Sequence, residues 1–230
     1  MHKPEGPARA GRKENQMAPY RKTADLPATL AVFPLPGALV FPRWQLPLNI
    51  FEPRYLNMID DAMAGSRLIG MVQTAGGTRQ TPGLADVGCA GRLTGFSETP
   101  DGRYLITLTG VCRFGISREL DVTTPYRQVT PDWDRFAQDL APAPEGEGRE
   151  RAALVAAFRD YAAANSLEAD WSAMEEASLE TLVHALASGC PFTPMEKQAL
   201  LEAPDLLGRA NALTALLEFG SAPGGEGPVQ

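Results

Sequence analysis

The hydrophobic period of the chain changes once. Up to about Thr130, apolar residues alternate or stand in short runs, and from Arg149 they recur every three or four positions. Between the two, residues 131–148 end in Ala141-Pro-Ala-Pro-Glu-Gly-Glu-Gly148, which can hold neither period. Strands first and helices second make an α+β chain with segregated elements, not an alternating parallel sheet. The expected organisation is a β-rich domain at 26–130, a linker at 131–148 and a helical domain at 149–220. Polar, Pro- and Gly-bearing tails at 1–25 and 221–230 are expected to be disordered. The first tail lacks the apolar stretch of a secretory signal, and Met17 offers a shorter start.

Within the β-rich part, Leu30–Leu35 and Ala38–Phe41 are short apolar runs broken by Pro36-Gly37 and Pro42. Trp44–Phe51 is a third, and its Pro47 lacks an amide donor, which places that strand at an edge or a bulge. Arg67–Gln73, Val87–Ser97, Tyr104–Ile116 and Tyr126–Val129 complete the strands. Along Tyr104–Ile116, Leu105, Thr107, Thr109 and Val111 share one face, and Ile106, Leu108 and Gly110 the other, as in a long central strand. One helix interrupts the series: Pro53 suits a first helical position, Tyr55, Leu56, Ile59 and Met63 recur at helical spacing, and Gly65 supplies a left-handed end. Residues 74–85, rich in glycine, read as a long loop. In the second half, Leu154, Val155, Phe158 and Tyr161 form one stripe and Met174, Leu179, Leu182, Val183 and Leu186 another. Thr193-Pro-Met-Glu196 is a capping box, and Leu206–Leu217 carries a last apolar face. These helices must bury their stripes on one another or on the β-rich part.

Charge and missing motifs exclude several function classes. The net charge of -7 is uneven, with four basic and eleven acidic side chains in residues 151–230, so a polyanion is repelled and nucleic-acid binding is disfavoured. No apolar run is long enough to cross a membrane as a helix. The chain holds neither a phosphate-binding GxxxxGK[ST] loop nor GxGxxG, HExxH or GxSxG. Cys89, Cys112 and Cys190 are odd in number and scattered, and His2 and His184 are the only histidines, so neither a disulfide framework nor a metal or other cofactor site is implied. Buried reduced thiols in a cytoplasmic protein are the expectation. Cys190 with His184 is the one pair that an unrecognised hydrolase could use, and no third orienting group accompanies it. Adjacent acids such as Asp60/Asp61 and Glu175/Glu176 point about 100° apart on a helix and read as solvated faces. No catalytic or metal-binding residue is assigned, and the chain is expected not to be an enzyme.

Three blocks remain. Phe33-Pro-Leu-Pro-Gly-Ala-Leu-Val-Phe-Pro-Arg-Trp-Gln-Leu-Pro-Leu-Asn-Ile-Phe-Glu-Pro-Arg-Tyr55, the segment Gly88–Ile116 with its Asp101-Gly-Arg turn and Gly110-Val-Cys-Arg-Phe element, and the helical Glu196–Glu218 together resemble the LON substrate-binding domain family. This is the N-terminal domain of Lon-type ATP-dependent proteases, also found as stand-alone bacterial proteins. The likeness covers most of residues 26–220 and departs from the family at Arg43-Trp44, where a glycine commonly follows Phe-Pro. It implies a PUA-like β pseudo-barrel followed by a C-terminal helical bundle. It also implies a non-enzymatic protein-binding module in protein quality control, without ATPase or peptidase parts. Its partners would be unfolded or extended polypeptides and protease components. A PUA-like RNA or small-ligand binder is the alternative by fold analogy.

Capture of an extended chain needs exposed apolar groups beside an open strand edge. Phe41, Pro42, Trp44 and Leu46 are the expected contact residues, against the alternative that Phe41 and Leu46 belong to the core and only Trp44 is partly exposed. Glu52, Arg54 and Arg113 are expected in structural ion pairing: Glu52 is favoured by a helix start, and Arg113, in a central strand, requires an acidic or carbonyl partner.

Overall fold

The computed structural model describes residues 20–78, 82–142 and 148–221. The expected tails, apart from Tyr20–Asp25 and Ser221, and the shorter start at Met17 lie outside the described residues. Six strands form the first part: β1 (Leu30–Pro34), β2 (Gln45–Ile50), β3 (Leu68–Gly77), β4 (Pro82–Glu98), β5 (Tyr104–Glu119) and β6 (Arg127–Asp132). Helix α1 (Pro53–Ala64) lies between β2 and β3. The second part holds α2 (Gly148–Ala164), α3 (Trp171–Glu176), α4 (Leu179–Gly189), α5 (Pro194–Glu202) and α6 (Leu206–Ser221).

The strand order is β2-β5-β4-β3-β1-β6, and a further β5–β6 pairing closes five strands into a pseudo-barrel with β2 as an appended edge. Only β1 and β3 run parallel. Closure depends on the length of β5. One side of β5 carries β4 from Tyr104 to Gly115; the other carries β2 at Tyr104–Thr109 and β6 at Gly115–Glu119. Phe114 fills the interior with no exposure. Gly70 and Gly88 make room for it, since a Cβ on either would stand 2.7 Å from a ring atom. Pro47 occupies the appended strand, where its missing N–H leaves no ladder bond unmade.

Local signals set the helix ends. Pro53 opens α1, Thr193 and Glu196 exchange capping bonds at α5, and the Asp205 carboxylate accepts the Gly208 N–H at 2.7 Å under α6. Four expectations are corrected. Gly65 has φ -116°, and Arg67, at φ +61°, takes the left-handed turn instead. Residues 74–77 and 82–85 extend β3 and β4 into a ribbon in place of a long loop. Ala38–Phe41 forms no strand. Residues 131–140 finish β6 and form a 3-10 helix, Asp134–Leu140, whose Phe136 and Asp139 are buried, so this part is not a linker; residues 143–147 lie outside the described residues. The stripe from Met174 to Leu186 is broken at Ser178, which caps α4 by accepting the Thr181 N–H at 3.1 Å.

One continuous core runs through both parts. Helix α5 lies on β4, where the Gln198 side chain donates to the Val87 carbonyl at 3.0 Å, and the buried Gln73 of β3 donates to Pro194 O at 3.0 Å.

Candidate functional site

Residues Phe41–Trp44 cross the stretch of β5 that neither β2 nor β6 covers. Arg43 N–H donates to Gly110 O, and Gly110 N–H donates to Trp44 O, each at 2.8 Å. A Cβ at Gly110 would overlap the Phe41 carbonyl, so this crossing requires glycine. The helices then close over the loop. The His184 ring lies parallel to Phe41 at 4.8 Å, and the Arg209 guanidinium stands 4.8 Å from the same ring. Phe41 and Pro42 are buried, which corrects their expected role as contact surface; Trp44 and Leu46 keep partial exposure. Arg43 sits at φ +65°, a region that favours glycine. Its guanidinium pairs with Glu180 of α4 at 2.7 Å and donates to Asp139 O at 2.6 Å and Ala141 O at 3.2 Å, which offsets the backbone strain.

Arg113, next in the same gap, is 1% exposed. Its backbone N–H donates to Asp139 Oδ2 at 3.0 Å, and its side chain makes a bidentate pair with that carboxylate at 2.8 and 2.9 Å. The remaining donors reach Leu201 O at 2.9 Å, Ala203 O at 2.5 Å and Pro204 O at 3.2 Å, carbonyls in the last turn of α5 and just past it. Glu52 and Arg54 pair with each other instead, at 2.8 Å and about half exposed, a contact of little energetic weight.

The Cys190–His184 pair is not assembled as a nucleophile and base. Burial, reinforced by Arg209, Arg43 and Arg113, pushes the His184 pKa down to about 2, so the ring is neutral, and its Nε2 has no hydrogen-bond partner. Burial raises Cys190 to about 11 and Cys112 to about 12, and pushes Cys89 well up as well, so these thiols stay protonated. Among the described residues no group of three or more His, Cys, Asp or Glu stands together as a metal site.

Two surfaces that sequence reasoning missed are open. At the far end of β5, Phe51 (61% exposed), Leu105 (46%) and Phe96 (45%) form an apolar tip. Register places them on the two faces of the sheet end: Leu105 stands opposite Asn49 and Ser97, whereas Phe96, opposite Ile106, packs edge-on against Tyr104 at 4.9 Å, and Arg103 lies 6.0 Å from the Phe51 ring. Leu105 lies on the strand face otherwise filled by Thr107 and Thr109, which was the available signal. Edge strand β2 borders the tip. Because Pro47 cannot donate, its nitrogen belongs to the outward set Gln45, Pro47 and Asn49, which interrupts any row of donors offered to an incoming strand.

The second surface is a cleft of about 830 Å³ between the start of α1, the β3–β4 ribbon and the start of β6. Pro34, Pro36, Pro82 and Pro125 form its walls with the rings of Tyr55 and Tyr126. Tyr126 donates to Asp61 at 2.6 Å. Arg127 is committed to Glu119 and to Pro82 O, and Arg54 to Glu52 and to the face of the Tyr55 ring, 4.5 Å away.

This barrel, closed by helices through a buried arginine, matches a known class. The family model for the substrate-binding domain of ATP-dependent protease La (LON) matches residues 29–218, and the chain belongs to that family. It is 28% identical over 205 residues to a Lon protease of Roseiflexus castenholzii, covering 87% of this chain and 25% of that protein. It is 26% identical over 203 residues to Lon protease 2 of Myxococcus xanthus, covering 84% of this chain and 24% of that protein. The chain thus spans about a quarter of the length of the curated relatives it matches. A Lon N-terminal domain protein from Xanthomonas campestris shares the fold at TM-score 0.57 and 19% identity, covering 81% of this chain and 97% of that one. The N-terminal domain of Mycobacterium avium complex Lon protease does so at TM-score 0.59 and 16% identity, covering 82% and 97%.

Proposed function

We propose that this chain binds unfolded or extended polypeptides through the apolar tip at Phe51, Phe96 and Leu105, with Leu46 on β2 and Trp44 just before that strand, and makes or breaks no covalent bond. The observation that carries this reading is the exposure of three large apolar side chains at one end of β5, next to an open strand, in a domain of the substrate-binding family. The neutral, buried His184 and the protonated thiols favour a binding role over a catalytic one. Its natural partners are cytoplasmic client proteins in a non-native state, delivered to or shared with protease components.

Fluorescence anisotropy with a permanently unfolded, reduced and carboxymethylated globular protein tests this. The chain should bind it at least tenfold more tightly than the native form of that globular protein, and Phe51→Asp or Leu105→Asp should remove the preference. Equal binding of both forms, or an unchanged preference in both variants, rules the reading out.

A further inference from the structure

The charges beside the apolar tip are unevenly matched. The two arginines there are spent: Arg54 pairs with Glu52 at 2.8 Å and Arg103 with Asp101 at 2.9 Å. Asp60 of α1 and Glu98, the last residue of β4, are exposed, and neither joins an ion pair among the described residues. The two carboxylates meet at one ring pair. The Tyr104 hydroxyl donates to Asp60 at 3.1 Å, and Glu98 stands opposite Tyr104 in the β4–β5 register. The hydrogen bond to Asp60 raises the pKa of that phenol, and the charges of Asp60 and Glu98 add to the rise, so both act on the same group. Phe96, two residues before Glu98 and on the same face of β4, packs edge-on against Tyr104 at 4.9 Å and keeps 45% exposure. An exposed aromatic ring thus borders two negative charges that neither arginine of the tip neutralises.

We infer that the tip selects, among unfolded polypeptides, apolar segments flanked by arginine or lysine. The inference rests on the reading of the tip as a client surface and adds a sign to it. The apolar part of such a segment covers the exposed rings. The methylene stem of the flanking residue lies along Phe96, and its charged head reaches Asp60 or Glu98. An acidic flank in the same place meets two uncompensated carboxylates and is repelled. Exposed charge pairs are individually weak, so the carboxylates do not create the affinity; they decide between segments of equal apolar content.

Fluorescence anisotropy with two labelled peptides tests this on the full chain. Both carry the same leucine-phenylalanine-leucine core, followed in one by three arginines and in the other by three glutamates. At low salt the arginine peptide should bind at least about tenfold more tightly, and in about 1 M salt, where screening acts beyond about 3 Å, the ratio should fall below about twofold. Asp60→Asn combined with Glu98→Gln keeps the Tyr104 acceptor and should reduce the low-salt ratio at least about threefold. Glu168→Gln combined with Glu175→Gln removes the same charge from the exposed helical part and should leave the ratio unchanged. Equal binding of the two peptides, an unchanged ratio in the Asp60/Glu98 variant, or an equal fall in the Glu168/Glu175 variant would each overturn the selection by charge and leave the tip as a client surface. Failure of both peptides to bind at millimolar protein would remove the client surface and the selection together.

Discussion

Two neighbouring stretches, Phe41–Trp44 and Pro47–Phe51, look alike as sequence, both mixing proline with large apolar residues, yet they end in opposite environments. The first is roofed by α4 and α6, with Phe41 between His184 and Arg209. The second runs off the end of β5 into solvent, with Phe51 61% exposed. Nothing within either stretch sets this difference. It is decided by which one meets helices that lie more than a hundred residues further along the chain, and so a proline-aromatic segment identifies a surface only once its cover is known.

The largest expected effect tests the cover itself. Asp139→Ala leaves Arg113 charged and buried without its carboxylate, which should lower unfolding free energy by about 3–5 kcal/mol in urea titration. A loss below about 1 kcal/mol would mean that water reaches this pair. Phe41→Ala should lose a similar about 3–5 kcal/mol, while Phe51→Ala should stay within about 0.5 kcal/mol of wild type. Similar losses in the two variants would mean that the two stretches are covered alike.

Between pH of about 6.5 and 5, acid should act chiefly through the covered region. The folded pKa of His184, about 2, lies below its unfolded value of about 6.5, so the fold requires the neutral ring. Its contribution is fully present above pH of about 6.5 and is lost as the pH falls, at about 1.4 kcal/mol per pH unit. His2 is the only other histidine in the sequence, and His184→Leu should flatten the stability profile between pH of about 6.5 and 5. An unchanged slope there would show that the ring is hydrated.

Smaller effects separate strain from pairing at Arg43. Arg43→Ala loses the Glu180 pair and keeps the left-handed backbone, whereas Arg43→Gly relieves the backbone, so glycine should be the more stable of the two by about 1 kcal/mol in thermal unfolding. At the open edge, Pro47→Thr should leave stability within about 0.5 kcal/mol and increase self-association in light scattering, because it restores an outward donor on β2.

Much of the architecture was legible because its signals are local. Pro47 marked an edge, Pro53 a helix start, Thr193 with Glu196 a cap, and the change of period separated strands from helices. What could not be read depended on distant partners. Residues 131–140 looked like a tether because their polar composition hides Asp139, which has meaning only beside Arg113, 26 positions earlier, and the carbonyls at the end of α5. Phe41 looked available because His184 and Arg209 come from α4 and α6. The family departure at Arg43 was visible, and the positive φ found there explains why glycine is the easier residue.

The guanidinium of Arg113 also constrains how such chains can diversify. One side chain from the barrel satisfies three carbonyl oxygens where the bundle turns from α5 toward α6. A chimaera that joined this barrel to the bundle of a distant relative would have to reproduce the path of that turn to within a hydrogen-bond length, or strand a cation in oil. The barrel and the bundle are thus keyed to each other at one point, and replacing either half means rebuilding that turn.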